Sequence, residues 1–107
     1  MDIVNAIDSP CLEMYPDFAN LSAQDVDYLT EMPKAQGRII GLHIKDTRPG
    51  QYRGVQMQEG TVDFDRMFAV LREMNCSPPS VIEMWNEDCP DSTDIIRSAL
   101  QFVKDRI

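Results

Sequence analysis

Three side chains of the kind that bind metal ions stand at the ends of short apolar segments. Asp17 follows the segment CLEMYP, His43 ends the apolar run IIGL, and Glu83 lies inside the apolar segment SVIEMW. A carboxylate in such a segment is costly unless it is paired or coordinated. Two carboxylates and one imidazole suit a divalent ion such as Zn²⁺, Mn²⁺, Co²⁺ or Mg²⁺. Such an ion can polarise a carbonyl group and stabilise an enediolate.

Each of these residues also has a simpler interpretation. His43 is the only histidine, and a lone histidine is often a hydrogen-bonded packing residue. Asp17 could cap a helix or turn in PDFANLS, and Glu83 could pair with Lys45 on a neighbouring strand. Spacing alone leaves these alternatives open.

The segment after His43 is basic in an otherwise acidic chain. Lys45, Arg48 and Arg53 lie within HIKDTRPGQYR, and such a cluster suits a phosphate or another anion. The alternative is a solvated loop. The later acidic loop containing Glu87, Asp88 and Asp91 is most simply a solvated rim.

Composition indicates one small globular domain. The chain has 107 residues, and its formal net charge of −8 argues against wrapping nucleic acid. No apolar run approaches the length of a membrane span, and the first residues do not resemble a signal peptide. The three cysteines have no metal-binding spacing, so we expect reduced thiols and a cytoplasmic location.

The predicted elements alternate between helices and strands. We expect a helix end at residues 1–7, an extended segment at 11–15, a helix at 22–32 that Ser22 caps, a strand at 38–45, a helix at 63–75, a strand at 80–85, and a last helix that Ser92 caps. The inner face of the 63–75 helix is predicted to be Phe64, Met67, Phe68, Leu71 and Met74. For the last helix it is Ile95, Ile96, Ala99, Leu100 and Val103.

This order predicts an α/β fold with parallel strands. In a (β/α) barrel, functional side chains sit at the carboxyl ends of the strands, where Asp17, His43 and Glu83 stand. Three parallel strands alone would leave two open edges. The chain is therefore expected to be one part of a barrel, or a subunit that completes its sheet by association.

Three motifs carry a specific resemblance over essentially the whole chain. YPDFANLSA, GLHIKDTRPGQYRGVQMQEGTVDF and VIEMWNED resemble the last third of the xylose isomerase-like TIM barrels. Within that family they are most similar to the L-ribulose-5-phosphate (L-xylulose-5-phosphate) 3-epimerases, often labelled hexulose-6-phosphate isomerases.

The resemblance implies a metal-dependent epimerisation of a ketopentose phosphate at carbon 3. Two Glu, one Asp and one His hold the divalent metal in the family, and the two Glu exchange protons with opposite faces of the substrate through an enediolate. Asp17, His43 and Glu83 match three of these ligands, and Glu83 matches one catalytic Glu. The resemblance also assigns three residues to the substrate, namely Asn20, Lys45 and Arg53.

The resemblance also implies that residues 1–107 form a single C-terminal barrel fragment of about three β/α units. The other metal-binding Glu belongs to an earlier strand that this sequence does not contain, and Gln58 departs from a Gly that relatives tend to have. A second hypothesis is therefore a non-catalytic, self-associating remnant that retains some metal binding. The expected partners are the sugar phosphate and either further copies of the chain or an N-terminal barrel fragment, with no nucleic acid and no membrane. A metal-dependent endonuclease of related fold is a third alternative, which the negative charge disfavours.

Overall fold

A computed structural model describes residues 1–85 and 89–107. Within these residues the elements are α1 Asp2–Ile7, α2 Phe18–Ala23, α3 Tyr28–Glu31, a 3₁₀-helix Met32–Ala35, β1 Leu42–Ile44, α4 Phe64–Glu73, β2 Ser80–Ile82 and α5 Ser92–Lys104. Glu87 and Asp88, which the sequence assigns to an acidic rim, lie outside the described residues. Across the described ranges, every helix is too short or too polar to span a membrane.

The sheet is parallel, which confirms the predicted α/β class. β1 pairs with β2 in the register Leu42 with Ser80, His43 with Val81 and Ile44 with Ile82. The backbone N–H of Glu83 also donates to the Ile44 carbonyl at 3.0 Å. Both strands are shorter than predicted, but pairing still reaches the residue that carries the carboxylate.

The expected first strand is not regular. The backbone of residues 14–17 pairs with the chain at and before β1 through two isolated parallel bridges, Met14 with Ile39 and Asp17 with His43. Pro16 lies between these bridges and has no N–H to donate to a ladder, although its carbonyl accepts the N–H of His43 at 3.0 Å. The segment therefore lies beside β1, on the side away from β2, without forming a strand.

The prediction of one helix at 22–32 with Ser22 as its cap is wrong. Asp17 caps α2, and Asp27 caps α3 by accepting the Leu29 N–H at 3.1 Å. Between them Asp25 adopts a left-handed conformation with φ of 56°. Two aspartate caps and this turn divide the segment into short helices, with Ser22 inside the first.

The core lies between α4 and the outer face of the sheet. The predicted stripe of α4 is confirmed, because Phe64, Met67, Phe68, Leu71 and Met74 are all buried. They cluster with Leu42 and Ile44 of β1. Because side chains alternate along a strand, His43 points to the opposite face, where the candidate site lies.

The predicted inner face of α5 is only partly right. Ala99 and Val103 are buried, but Ile96 is 50% exposed and Leu100 43% exposed. Phe102 faces the core instead and contacts Phe64 edge to face at 5.1 Å. Ser92 starts the helix without capping it, and Asp91 occupies the cap position without a side-chain hydrogen bond.

Candidate metal centre and substrate pocket

Asp17 divides its two carboxylate oxygens between two tasks. Oδ1 accepts the backbone N–H of Asn20 at 3.0 Å and so caps α2. Oδ2 lies 3.0 Å from Lys45 Nζ, yet it is buried and no described residue offers it an aligned hydrogen bond. The capping alternative is therefore observed, and it leaves Oδ2 for another ligand.

His43 lies between the two acidic residues. Its Nδ1 atom is 3.4 Å from Glu83 Oε2 and 3.8 Å from Asp17 Oδ2. The Tyr15 ring packs beside the imidazole, with ring centroids 4.8 Å apart. A side chain at residue 41 would collide with the Tyr15 ring, so Gly41 leaves room for this contact.

Lys45 contributes a buried cation to the same cluster. Its Nζ lies 3.0 Å from both Asp17 Oδ2 and Glu83 Oε2. Burial by itself disfavours the charged form, but the Glu83 and Asp17 carboxylates outweigh burial and raise the pKa of Lys45. Burial likewise opposes ionisation of Glu83, while hydrogen bonding to Lys45 and the charges of Lys45 and His43 lower the pKa of Glu83. Glu83 is therefore ionised and Lys45 protonated near neutral pH.

The donor set fits a divalent cation. One ligand atom each from Asp17, His43 and Glu83 lies within 4.8 Å of the others, and Asp17 Oδ2 is a buried oxygen without an aligned hydrogen bond. Carboxylate and imidazole donors suit the ions named above. The predicted Lys45–Glu83 pair is also present, so a cation that binds Glu83 must compete with the Lys45 ammonium.

The cluster opens into a pocket of about 350 Å³. Its lining residues are Asp17, Asn20, Gln24, His43, Lys45, Tyr52, Arg53 and Glu83. The structure thus brings together every residue that the sequence assigned to metal or substrate, while their roles stay predictions.

The predicted basic cluster separates into two parts. Arg53 lines the pocket, and its guanidinium stacks over the Trp85 ring at 4.2 Å from the centroid. Arg48 instead donates from Nε and Nη2 to the Glu59 carbonyl, at 3.0 and 2.7 Å. Arg48 therefore holds a loop together, and Lys45 is buried rather than part of an open basic surface.

Sequence reasoning missed four residues around the site. Tyr15 and Trp85 each lie two positions from a ligand, Asp17 and Glu83, and this period of two is a signal that could have found them. Tyr52 has only its neighbour Arg53 as a signal. Gln24 has none, because its position depends on where α2 ends.

Comparison with known proteins agrees with this architecture. A family model described as "Xylose isomerase-like TIM barrel" matches residues 1–106. L-ribulose-5-phosphate 3-epimerase UlaE of Salmonella typhi is 39% identical over 101 residues, which are 94% of this chain and 36% of that protein. The same values hold for a putative enzyme of that name from Shigella dysenteriae and for UlaE of Escherichia coli K12. The chain thus spans 36% of the length of these relatives, and it belongs to the family of xylose isomerase-like TIM barrels.

Proposed function

We propose that this chain forms the carboxyl-terminal part of a metal-dependent sugar-phosphate 3-epimerase, with a ketopentose phosphate as substrate. The observation that carries the proposal is the cluster of Asp17, His43 and Glu83, with ligand atoms within 4.8 Å of one another at the wall of a pocket. The named activity of similar proteins, L-ribulose-5-phosphate 3-epimerase, supplies the reaction. A cytoplasmic location accords with chemistry on a phosphorylated sugar.

Asp17, His43 and Glu83 would hold the divalent ion. When bound, such an ion polarises the carbonyl group of a ketose and so makes the neighbouring C–H more acidic. The helix cap uses only Oδ1 of Asp17, so Oδ2 can take this role in competition with the Lys45 ammonium, which lies 3.0 Å away.

Glu83 is the candidate base for the proton at carbon 3. Its lowered pKa keeps it ionised at neutral pH, as a proton acceptor must be. Epimerisation removes this proton from one face and returns one to the other face, so atoms and electrons balance without an external oxidant or reductant. The second proton-transfer group is, by resemblance, a Glu on a strand that this sequence does not contain.

Three pocket residues are proposed to hold the substrate. Asn20 lies in the first turn of α2, and its Oδ1 is buried without a hydrogen bond to any described residue, so a sugar hydroxyl is a suitable donor to it. By resemblance, Lys45 and the loop that follows it lie near the phosphate-bearing end of the substrate. Lys45 is paired with the two ligand carboxylates, so Arg53 on that loop is the proposed cation for the phosphate. A guanidinium binds phosphate oxygens through paired N–H groups.

Completion of the barrel is part of the proposal. β1 has neighbours on both sides, whereas β2 is paired only with β1 among the described residues. We propose that further strands close the sheet, from copies of this chain or from a polypeptide that corresponds to the rest of the relatives. Only the second kind of partner would also supply the other proton-transfer Glu.

The decisive experiment measures metal binding and turnover separately. Mn²⁺ titration of the chain tests the ligand set, and epimerisation of L-ribulose 5-phosphate tests the reaction, with and without a polypeptide that corresponds to the first two thirds of a relative. Glu83→Gln is expected to lower turnover at least about a hundredfold, the usual range for a lost general base. Absence of Mn²⁺ binding in both preparations would sink the proposal.

A non-catalytic remnant is the second candidate. The Lys45 ammonium lies 3.0 Å from both ligand carboxylates, so the cluster is already charge-compensated as an ion-pair network. Such a remnant would associate through its open sheet, bind metal weakly and lack turnover. Turnover by the purified chain that disappears in Glu83→Gln would exclude it.

A further inference from the structure

Asp46 is a buried carboxylate that the proposed chemistry does not use. It follows Lys45 directly, is 3% exposed, and lies outside the pocket lining. Oδ1 accepts the N–H groups of Thr47 and Val62, at 2.9 and 3.2 Å. Oδ2 accepts the N–H of Gly60 at 2.8 Å. The contacts with Gly60 and Val62 join the end of β1 to residues far along the following loop.

Thr47 and Arg48, the two residues after Asp46, also form hydrogen bonds at the base of this loop. The buried Thr47 hydroxyl donates to the Ala19 carbonyl of α2 at 2.8 Å, and its carbonyl accepts the Thr61 N–H at 2.8 Å. Arg48 donates to the Glu59 carbonyl. Residues 46–48 are thus bonded to residues 59–62, and residues 49–58 form a loop with fixed ends.

Tyr52 and Arg53 belong to this loop, and both line the pocket. Arg53 stacks on Trp85 at 4.2 Å, so the loop starts beside β1 and reaches the segment that follows β2. A loop of this length without fixed ends samples many conformations, and ordering it on binding weakens affinity. Hydrogen bonds at the base of the loop restrict its conformations before a ligand binds, and so reduce the entropic cost of binding.

We propose that Asp46 is a positioning residue, whose buried carboxylate fixes the base of loop 49–58 so that Arg53 faces the pocket and binds the substrate's phosphate. This inference rests on the proposed function, because that function assigns the phosphate to Arg53. Asp46 touches neither substrate nor metal in this scheme and acts through the loop alone.

Gly60 provides a second route to the same contact. A Cβ atom at residue 60 would collide with the Asp46 carboxylate and the Thr47 carbonyl. Gly60→Ala should therefore displace the base of the loop without changing any charge. Asp46→Asn keeps the size of the side chain but replaces one acceptor oxygen by an NH₂ group that faces an N–H donor.

The test titrates inorganic phosphate and Mn²⁺ separately into the full chain by calorimetry. Asp46→Asn and Gly60→Ala should each weaken phosphate binding roughly tenfold, the effect of one lost charge-assisted hydrogen bond, and change Mn²⁺ affinity by less than about twofold. Arg53→Gln should abolish phosphate binding. Asp65→Asn is the matched control, because it removes a carboxylate from a side chain that is 84% exposed on α4.

Hydrogen exchange gives a readout that the wild-type chain alone can provide, and the Asp46→Asn variant extends it. The Gly60 and Val62 amides should be protected in the wild-type chain before phosphate is added, and lose protection in Asp46→Asn. Unprotected amides in the wild type would overturn the inference even if the variants fail to fold.

The two proposals fail in different ways. Wild-type phosphate affinity in Asp46→Asn, or no phosphate binding by the wild-type chain, overturns the role of Asp46. Absence of Mn²⁺ binding counts against the proposed metal site. The role of Asp46 is then judged from the phosphate titrations alone.

Discussion

Asp17 serves the fold and the candidate metal site with different atoms. Oδ1 caps α2 through the Asn20 N–H, and Oδ2 faces Lys45 and His43. The cap holds the carboxylate in one orientation, with Oδ2 directed toward the pocket and the Lys45 ammonium. This division allows the two roles to be separated by substitution.

Asp17→Asn and Asp17→Ala should weaken Mn²⁺ binding to a similar extent, because both remove the charged ligand. They should differ in stability by about 1 kcal/mol, since Asn caps a helix as well as Asp and Ala does not. Urea unfolding and Mn²⁺ titration of the two variants provide the check. Full Mn²⁺ affinity in the Asn variant would rule out Asp17 as a ligand.

Lys45→Met should destabilise the chain by about 3 kcal/mol when a chelator is present, because it leaves two carboxylates close together without their cation. Saturating Mn²⁺ should recover more stability in this variant than in the wild type. Lys34→Met is the control, since Lys34 pairs with Glu31 at an exposed site and such pairs contribute little. Equal effects of the two substitutions in denaturant unfolding would contradict the central role of Lys45.

The lowered pKa of Glu83 predicts how the stability of the chain depends on pH. The folded-state pKa of Glu83 lies below the ordinary value of 4.5, so the unfolded chain binds the proton more tightly and the stabilisation is present above that value. The stabilisation that wild type has over Glu83→Gln should be present above pH 4.5 and shrink as the pH falls through the lowered pKa. The measurement is urea unfolding across this range with a chelator. A difference that grows toward low pH would reverse the sign and contradict the ion pair.

At the scale of elements, the hydrophobic pattern predicted the buried face of α4 correctly and that of α5 only in part. α4 packs across one continuous face, and its five predicted core residues are buried. The prediction of one helix at 22–32 was wrong because two aspartate caps and the left-handed conformation of Asp25 set the helix boundaries there. These are local backbone choices that apolar spacing does not encode.

The same limit applies to the site. The ends of the predicted strands singled out Asp17, His43 and Glu83, and the family motifs matched the same three residues. The Lys45–Glu83 pair was one of the predicted alternatives. The sequence did not predict that Lys45 would also lie 3.0 Å from Asp17, or that Arg48 would bond to the Glu59 carbonyl. The direction of a long side chain depends on which partners the tertiary fold brings near.

The cap of α4 offers a test at this scale. Asp63 Oδ1 accepts the Arg66 N–H at 3.0 Å, so Asp63→Ala should lower the free energy of unfolding by about 1 kcal/mol. Asp63→Asn should change it by much less, because the amide oxygen can still accept. Chemical denaturation compares the two, and an Asn variant as unstable as the Ala variant would point to charge rather than capping.

At the scale of the molecule, the sheet presents uncovered apolar surface. Val81 of β2 is 51% exposed, and Tyr15 and Trp85 are 46% and 36% exposed. Unpaired strand edges beside such surface favour association with further strands. This is the physical basis for the proposed completion of the barrel.

Val81→Lys should reduce self-association of the chain, or its association with a polypeptide that supplies further strands. A lysine on this face places a charge where strands would pack. Ile96→Lys is the matched control, because Ile96 is equally exposed, at 50%, but lies on α5. Sedimentation velocity over a range of concentrations gives the comparison. A monomeric wild type, or equal effects of both substitutions, would count against assembly through the sheet.

The central position of β1 also has a kinetic consequence. Its neighbours come from distant parts of the chain, and the Lys45–Glu83 contact alone joins residues 38 positions apart. Contacts of this kind form late and slow the search for the native state. A ligand that binds only the assembled cluster adds stability after the slow step, about 2.7 kcal/mol at a hundred times its Kd. A divalent ion would then lengthen the lifetime of the folded chain more than it hastens folding.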